Sequence, residues 1–149
     1  MMNFDHSYQK LLHQLATEIS DFPDEQSLWK TTGQIKNAPG NLCLHLLGSM
    51  NYFIGTQLGD TGYVRNRELE FSSMGVPKSA LLKQIEHTAN TLHEILPHLT
   101  PQDYGKVYPL NTFGEDVTTV EVLVILYGHL NYHVGQINYM RRILYPIAL

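Results

Sequence analysis

Four separate stretches of this chain repeat their apolar residues at intervals of three and four, and none sustains the alternation of a strand. That period places large side chains along one side of a helix. The first series is Phe4, Tyr8, Leu11, Leu15, Ile19 and Phe22. Pro23 ends it, because proline cannot continue the hydrogen-bond ladder. A second helix is expected from Asn41 to about Leu58, after Asn37-Ala38-Pro39-Gly40. Leu42, Leu46, Met50 and Phe53 form its main stripe, and Leu47, Ile54 and Leu58 widen it, which predicts deep burial. Pro77 suits the first turn of a third helix, with Leu81, Ile85, Ala89, Leu92 and Leu96 facing inward. Thr118-Thr119-Val120-Glu121 has the pattern of a capping box and opens a fourth, running to about Leu144.

These stretches predict an all-α chain: a four-helix bundle with long connections, forming one domain over residues 1–149. A chain of 149 residues can bury a core without staples. The segments Tyr63 to Val76 and Tyr104 to Glu115 lack a sustained period and read as loops, the second with short extended pieces. Loops of that length are often functional.

Composition narrows the partners. Apolar residues make up 43% and charged residues 16%, an ordinary globular balance. The net charge of −4, with no basic cluster, argues against nucleic acid. No apolar run is long enough for a bilayer, and residues 1–10 do not read as a signal peptide. Cys43 stands alone, so no disulfide framework forms within the chain, which fits a reducing compartment. The expected location is the cytoplasm.

The eight histidines divide by helical position. His6, His13, His87 and His98 fall opposite the apolar stripes and His93 lies at a flank, so these five read as solvated. His129 and His133 are different. They stand one turn apart on the apolar side of the fourth helix, where an imidazole needs a partner or a cation. His45 shares a stripe with Ser49 and Tyr52 on the second helix. If the second and fourth helices face one cavity, the three rings can hold a divalent metal and leave a position open. Zinc or nickel suits such a set, with iron and manganese as further candidates. Buried histidines that merely hydrogen-bond are the plain alternative. Rival metal motifs fail: no Glu-x-x-His occurs, and His93-Glu94 is followed by Pro97 where a second histidine would belong.

Several residues join this set as candidates. Gln136, one turn beyond His133, could orient a ligand ring. Tyr52 could line the opening or donate a proton, or simply pack. Arg65 and Arg67 could clamp a substrate or thiol carboxylate, or form a loop salt bridge with Glu68 or Glu70. Gly128 and Gly135 weaken the fourth helix, which suggests that a neighbouring helix or loop comes close.

Three runs of residues resemble a known group. They are Asn37-Ala38-Pro39-Gly40-Asn41-Leu42 with Leu44-His45-Leu46 and Gly48, then Arg65-x-Arg67-x-x-Glu70-Phe71, then His129-Leu130-Asn131-Tyr132-His133-Val134-Gly135-Gln136. In this order they resemble the DinB/YfiT-like putative metalloenzyme superfamily. The resemblance implies a four-helix bundle with a metal on His45, His129 and His133, and a homodimer. It also implies transferase or isomerase chemistry with a low-molecular-weight thiol, or hydrolysis, on a small-molecule substrate. The leading expectation is a metal-dependent enzyme of thiol-dependent S-transferase or related hydrolase type, acting on a small electrophile. The alternatives are a non-catalytic metal- or ligand-binding bundle, such as a stress-associated accessory protein, and an interaction module.

Overall fold

The computed structural model describes residues 3–145. Its helices are α1 (Phe4–Ser20), α2 (Pro39–Met50), α3 (Arg67–Ser72), α4 (Lys78–Ile95), α5 (Pro101–Gly105) and α6 (Thr119–Leu144). α2 continues through a π-helical stretch, Asn51–Thr56, and a last α-turn, Gln57–Gly59. The described residues contain no strand, only an isolated bridge between Val107 and Thr118. The described residues form an all-helical fold, as the apolar periods predict.

The long helices pack through the faces that carry those periods. α1 lies against α4 and α6, and α2 lies against α4, α6 and α3. Leu11, Leu12, Leu15 and Ile19 of α1 meet Leu46, Met50 and Ile54, Leu81 and Leu92, and Leu126, Leu130 and Ile137 in one buried cluster. Each such side chain contributes about 1.5–3 kcal/mol by leaving water. Two buried tyrosine hydroxyls tie the layers together: Tyr8 donates to the Leu123 carbonyl at 2.7 Å, and Tyr108 to that of Phe53 at 2.6 Å. Trp29 lies over Gly40, where a Cβ would run into the indole, so the first connector seats on the opening turn of α2. No described helix is long and apolar enough to cross a membrane.

The segments expected to be irregular hold short helices. α3 lies inside the expected loop from Tyr63 to Val76. Asn66 starts it by accepting the Leu69 N–H at 3.1 Å, and Glu68 and Glu70 occupy its first turn, where carboxylates complement the exposed N–H groups. α5 begins with a capping box between Thr100 and Asp103. α6 begins with the expected box between Thr118 and Glu121.

α6 presents two contrasting sides. Val122, Leu123, Leu126, Leu130, Val134, Ile137 and Met140 are buried. On the outer side Val124, Ile125, Tyr132, Tyr139 and Ile143 are exposed. Gly128 and Gly135, expected to admit a neighbour, have nothing within 4 Å of where a Cβ would stand. The described chain itself therefore supplies no close approach to either glycine.

Candidate metal centre

His45 is buried on α2, and His129 and His133 are half-buried at the edge of the inward face of α6. Because α2 packs on α6, the three rings meet. Their centroids are 5.0 Å apart for His45 and His129, 5.4 Å for His45 and His133, and 4.5 Å for His129 and His133. Each ring offers a nitrogen, and these atoms all lie within 4.8 Å of one another.

Hydrogen bonds decide which nitrogen each ring offers. His45 Nδ1–H donates to Glu70 Oε2 at 2.9 Å, leaving its Nε2 with a lone pair. His133 Nδ1–H donates to Gln136 Oε1 at 2.6 Å, which frees its Nε2 in the same way. His129 Nε2 faces His45 Nε2 at 3.1 Å. Two nitrogens on one tetrahedral ion at about 2.0–2.1 Å stand roughly 3.3 Å apart, so this pair already has nearly a ligand–ligand spacing.

Protonation favours a cation here. Burial holds the His129 imidazolium off, and His133, His45 and Arg65 repel it further, so its pKa is pushed down to about 4. Burial lowers His133 as well; the bond to Gln136 opposes that shift and the nearby His45 charge adds to it. Both rings are thus neutral near pH 7, the form that binds a metal. The three histidines together could hold a divalent metal ion.

The support behind His45 was not expected to belong to the site. Glu70 is buried, and Arg65 grips it twice, Nε to Oε1 at 2.7 Å and Nη2 to Oε2 at 2.8 Å. Burial would raise the Glu70 pKa, but bonds from Arg65 and His45 outweigh it and hold the carboxyl below its ordinary range. Arg65 also donates to Ser49 Oγ at 2.9 Å. Asn41 ties the strap down by donating to the carbonyls of Ser73 at 2.8 Å and Glu70 at 3.2 Å. Gly48 makes the arrangement fit, since a Cβ there would run into the Glu70 carboxylate. Phe71 covers the His45 ring with centroids 4.8 Å apart. The available signals were a glycine within an apolar helix, one turn from His45, and the Arg65–Glu70 spacing.

The other candidates are placed as follows. Arg65 is committed to Glu70 and Ser49, the salt-bridge alternative. Arg67 is exposed, with its guanidinium 5.3 Å from the Phe71 ring centroid. Tyr52 packs edge-on against Phe53 at 5.1 Å, and among the described residues no ring or hydrogen-bond contact joins it to the three histidines. His6, His13, His87, His93 and His98 are exposed, and His93 pairs with Asp5 at 3.0 Å.

A groove of about 430 Å³ runs beside His133 and Gln136. Leu42, Tyr132, Tyr139 and Met140 line it, with Lys36 and Asn37 from the first connector. The cluster thus has a protein-packed side, behind His45, and a side bordering open space, at His133.

A family model described as a protein of unknown function (DUF1572) matches residues 3–146. No curated protein and no solved structure matches the chain.

Proposed function

This chain belongs to the DUF1572 family, and we propose that it is a metal-dependent enzyme of the DinB/YfiT-like, four-helix-bundle kind, with His45, His129 and His133 as ligands. The observation that carries this reading is the convergence of three imidazole nitrogens within 4.8 Å. Their outer nitrogens are engaged where the bonds are defined: His45 by Glu70 and His133 by Gln136. Three protein ligands leave a position for a substrate or co-substrate. Zinc or nickel fits neutral imidazoles. Such an ion acts as a Lewis acid that lowers the pKa of a thiol or water.

The protein's own residues favour a thiol over water. Hydrolysis usually needs a carboxylate base beside the open position. The carboxylate that touches this cluster, Glu70, reaches His45 from its Nδ1 side and is already held by Arg65. A low-molecular-weight thiol needs no such base once its proton is easily lost. Thiol transfer to a small electrophile is the reaction class we assign, with the groove beside His133 receiving the substrate. Gln136 fixes the His133 ring, and Glu70 fixes that of His45.

Elemental analysis after chelation and reloading tests the ligand set. Wild-type protein is expected to take up one divalent ion per three-histidine site, and folded His133→Ala to take up none. Equal metal content in the two would remove the site. Adding glutathione-, bacillithiol- or mycothiol-like compounds to cobalt-loaded protein is expected to change its visible spectrum. A loaded protein whose spectrum ignores all three would retain the metal and lose the thiol.

A further inference from the structure

We infer that the groove beside His133 selects a small apolar molecule bearing a carboxylate, with Lys36 receiving the carboxylate and Tyr132 and Tyr139 flanking the apolar body. This names the substrate class for the metal-dependent reading above, and it rests on that reading only for which end of the molecule reacts. The groove measures about 430 Å³, near the lower end of small-molecule sites, which run roughly 300–1,000 Å³.

Its apolar lining comes in two layers. Leu42 and Met140 are buried, and Ile35, Tyr132, Tyr139 and Ile143 stand exposed around them. A ligand with an apolar body gains by covering surface that the described chain leaves to water. The polar lining is mostly donors. Lys36 takes part in no ion pair among the described residues. Gln136 Oε1 is occupied by the His133 Nδ1–H, which leaves the N–H groups of its amide to donate elsewhere. Asn37 adds a second amide.

The distribution of charge along the chain sets the sign of the ligand. All 14 acidic residues lie within residues 5–25 and 60–121, and none lies in 26–59 or 122–149. The first of these acid-free stretches supplies the connector and α2, and the second supplies nearly all of α6. Both sides of the groove and all three histidines therefore stand on chain without a carboxylate side chain. Glu70 reaches the cluster from α3, and Arg65 compensates its charge. Arg142 stands exposed beside Tyr139, with its guanidinium 5.9 Å from the ring centroid. On a chain with a net charge of −4, the groove is a local cationic region that attracts an anion and offers a cation no partner. One free ammonium matches a singly charged group. A phosphate is met better by arginine forks, and no arginine lines the groove.

Isothermal titration calorimetry of zinc-loaded protein with 4-phenylbutanoate and the neutral 4-phenylbutanamide tests the assignment. Wild-type protein is expected to bind the acid about fivefold more tightly than the amide, the upper end for a partly exposed ion pair. That preference should shrink as salt is raised. Lys36→Gln is expected to bring the acid down to the affinity of the amide and to leave the amide unchanged. Tyr139→Ala is expected to weaken both probes by a similar factor, about fivefold, since it removes a wall that both use. Both positions are exposed, and circular dichroism should show each variant folded. In metal-free protein the dependence on Lys36 is expected to persist. Acid binding that vanishes without zinc and ignores Lys36→Gln would place the carboxylate on the ion and overturn the inference. Equal affinity for acid and amide, or no binding of either at about millimolar concentration, overturns it too. Wild-type protein that took up no metal yet kept its preference for the acid would remove the enzyme and leave the selectivity of the groove standing.

Discussion

Glu18 and Glu70 are equally buried, at 6% and 5% exposure, and each is held by an arginine, yet the two regions differ in what the carboxylate is for. Glu18 of α1 accepts from Arg141 Nε at 2.9 Å and from Asn138 Nδ2 at 2.7 Å. Both partners lie on α6, so this cluster bolts one long helix to another and stops there. Glu70 sits on short α3. Its arginine comes from the neighbouring loop, and its remaining bond goes to a histidine ring whose far nitrogen points at two more histidines. The first arrangement closes on itself. The second passes its order along, from Ser49 and Arg65 through Glu70 to His45. A buried charge pair is weak evidence of function in either place. What distinguishes Glu70 is that the group it orients has a free lone pair aimed at other ligand-type atoms.

The largest expected effect is on the closed cluster. Glu18→Ala leaves Arg141 buried without its main partner, and breaking such a pair costs about 3–5 kcal/mol. Urea denaturation should show that loss in the midpoint. The metal affinity of the fraction that remains folded should equal that of wild type, because Glu18 has no bond to an imidazole. If Glu18→Ala lowered metal affinity as strongly as a change at Glu70, the separation of the two regions would be wrong.

Glu70→Gln sharpens the contrast from the other side. The amide keeps the shape, but His45 Nδ1–H then donates to a weaker, uncharged acceptor. Replacing a group that orients a metal-binding histidine typically costs 10–100-fold in metal affinity, about 1.4–2.7 kcal/mol. Competition titration with a zinc chelator reads the affinity. Nitrogen NMR of the apoprotein reads the His45 tautomer directly, and that signal should become mixed in the variant. An unchanged tautomer together with unchanged affinity would reduce Glu70 to a packing role like that of Glu18.

How much of this was readable in advance depends on the physical range of each signal. The long helices were plain because burying one face of a helix forces the same spacing over many turns. α3 and α5 are too short to show a period, and only their caps, Asn66 and Thr100, give them away. His129 and His133 could be paired from their spacing alone, since one helix fixes their relation. His45 needed the packing of α2 on α6, which no local pattern specifies. Glu70 was harder still. It was considered as a loop salt bridge, and that salt bridge forms, but its contact with His45 spans 25 residues and exists only because α3 folds back over α2. Gly128 and Gly135 suggest close approach by a neighbouring helix or loop, but nothing in the described residues stands within 4 Å of where a Cβ at either would be.

The smallest expected effect is a pH slope that belongs to the histidine region and not to the Glu18 cluster, which contains no imidazole. The His129 pKa is pushed down to about 4 from an ordinary 6.5, chiefly by burial. In the unfolded chain the ring takes up a proton as pH falls below about 6.5, whereas in the folded apoprotein it resists until about 4. The unfolded state therefore binds more protons across this window, and folded stability falls as pH falls. His133 is shifted in the same direction and adds to the loss. The His129 part amounts to on the order of 1 kcal/mol after allowance for the ring being about half exposed. Above pH 6.5 neither the folded nor the unfolded ring carries the charge, and this contribution becomes flat. Urea denaturation of metal-free protein at successive pH values measures the slope, and His129→Gln should reduce it while Glu18→Ala leaves it in place. Bound metal steepens the dependence, because protons must then displace an ion as well as enter an apolar site. A metal-free protein equally stable at pH 7 and pH 4.5, or a slope that survives His129→Gln and vanishes with Glu18→Ala, would move the pH-sensitive element to the other cluster.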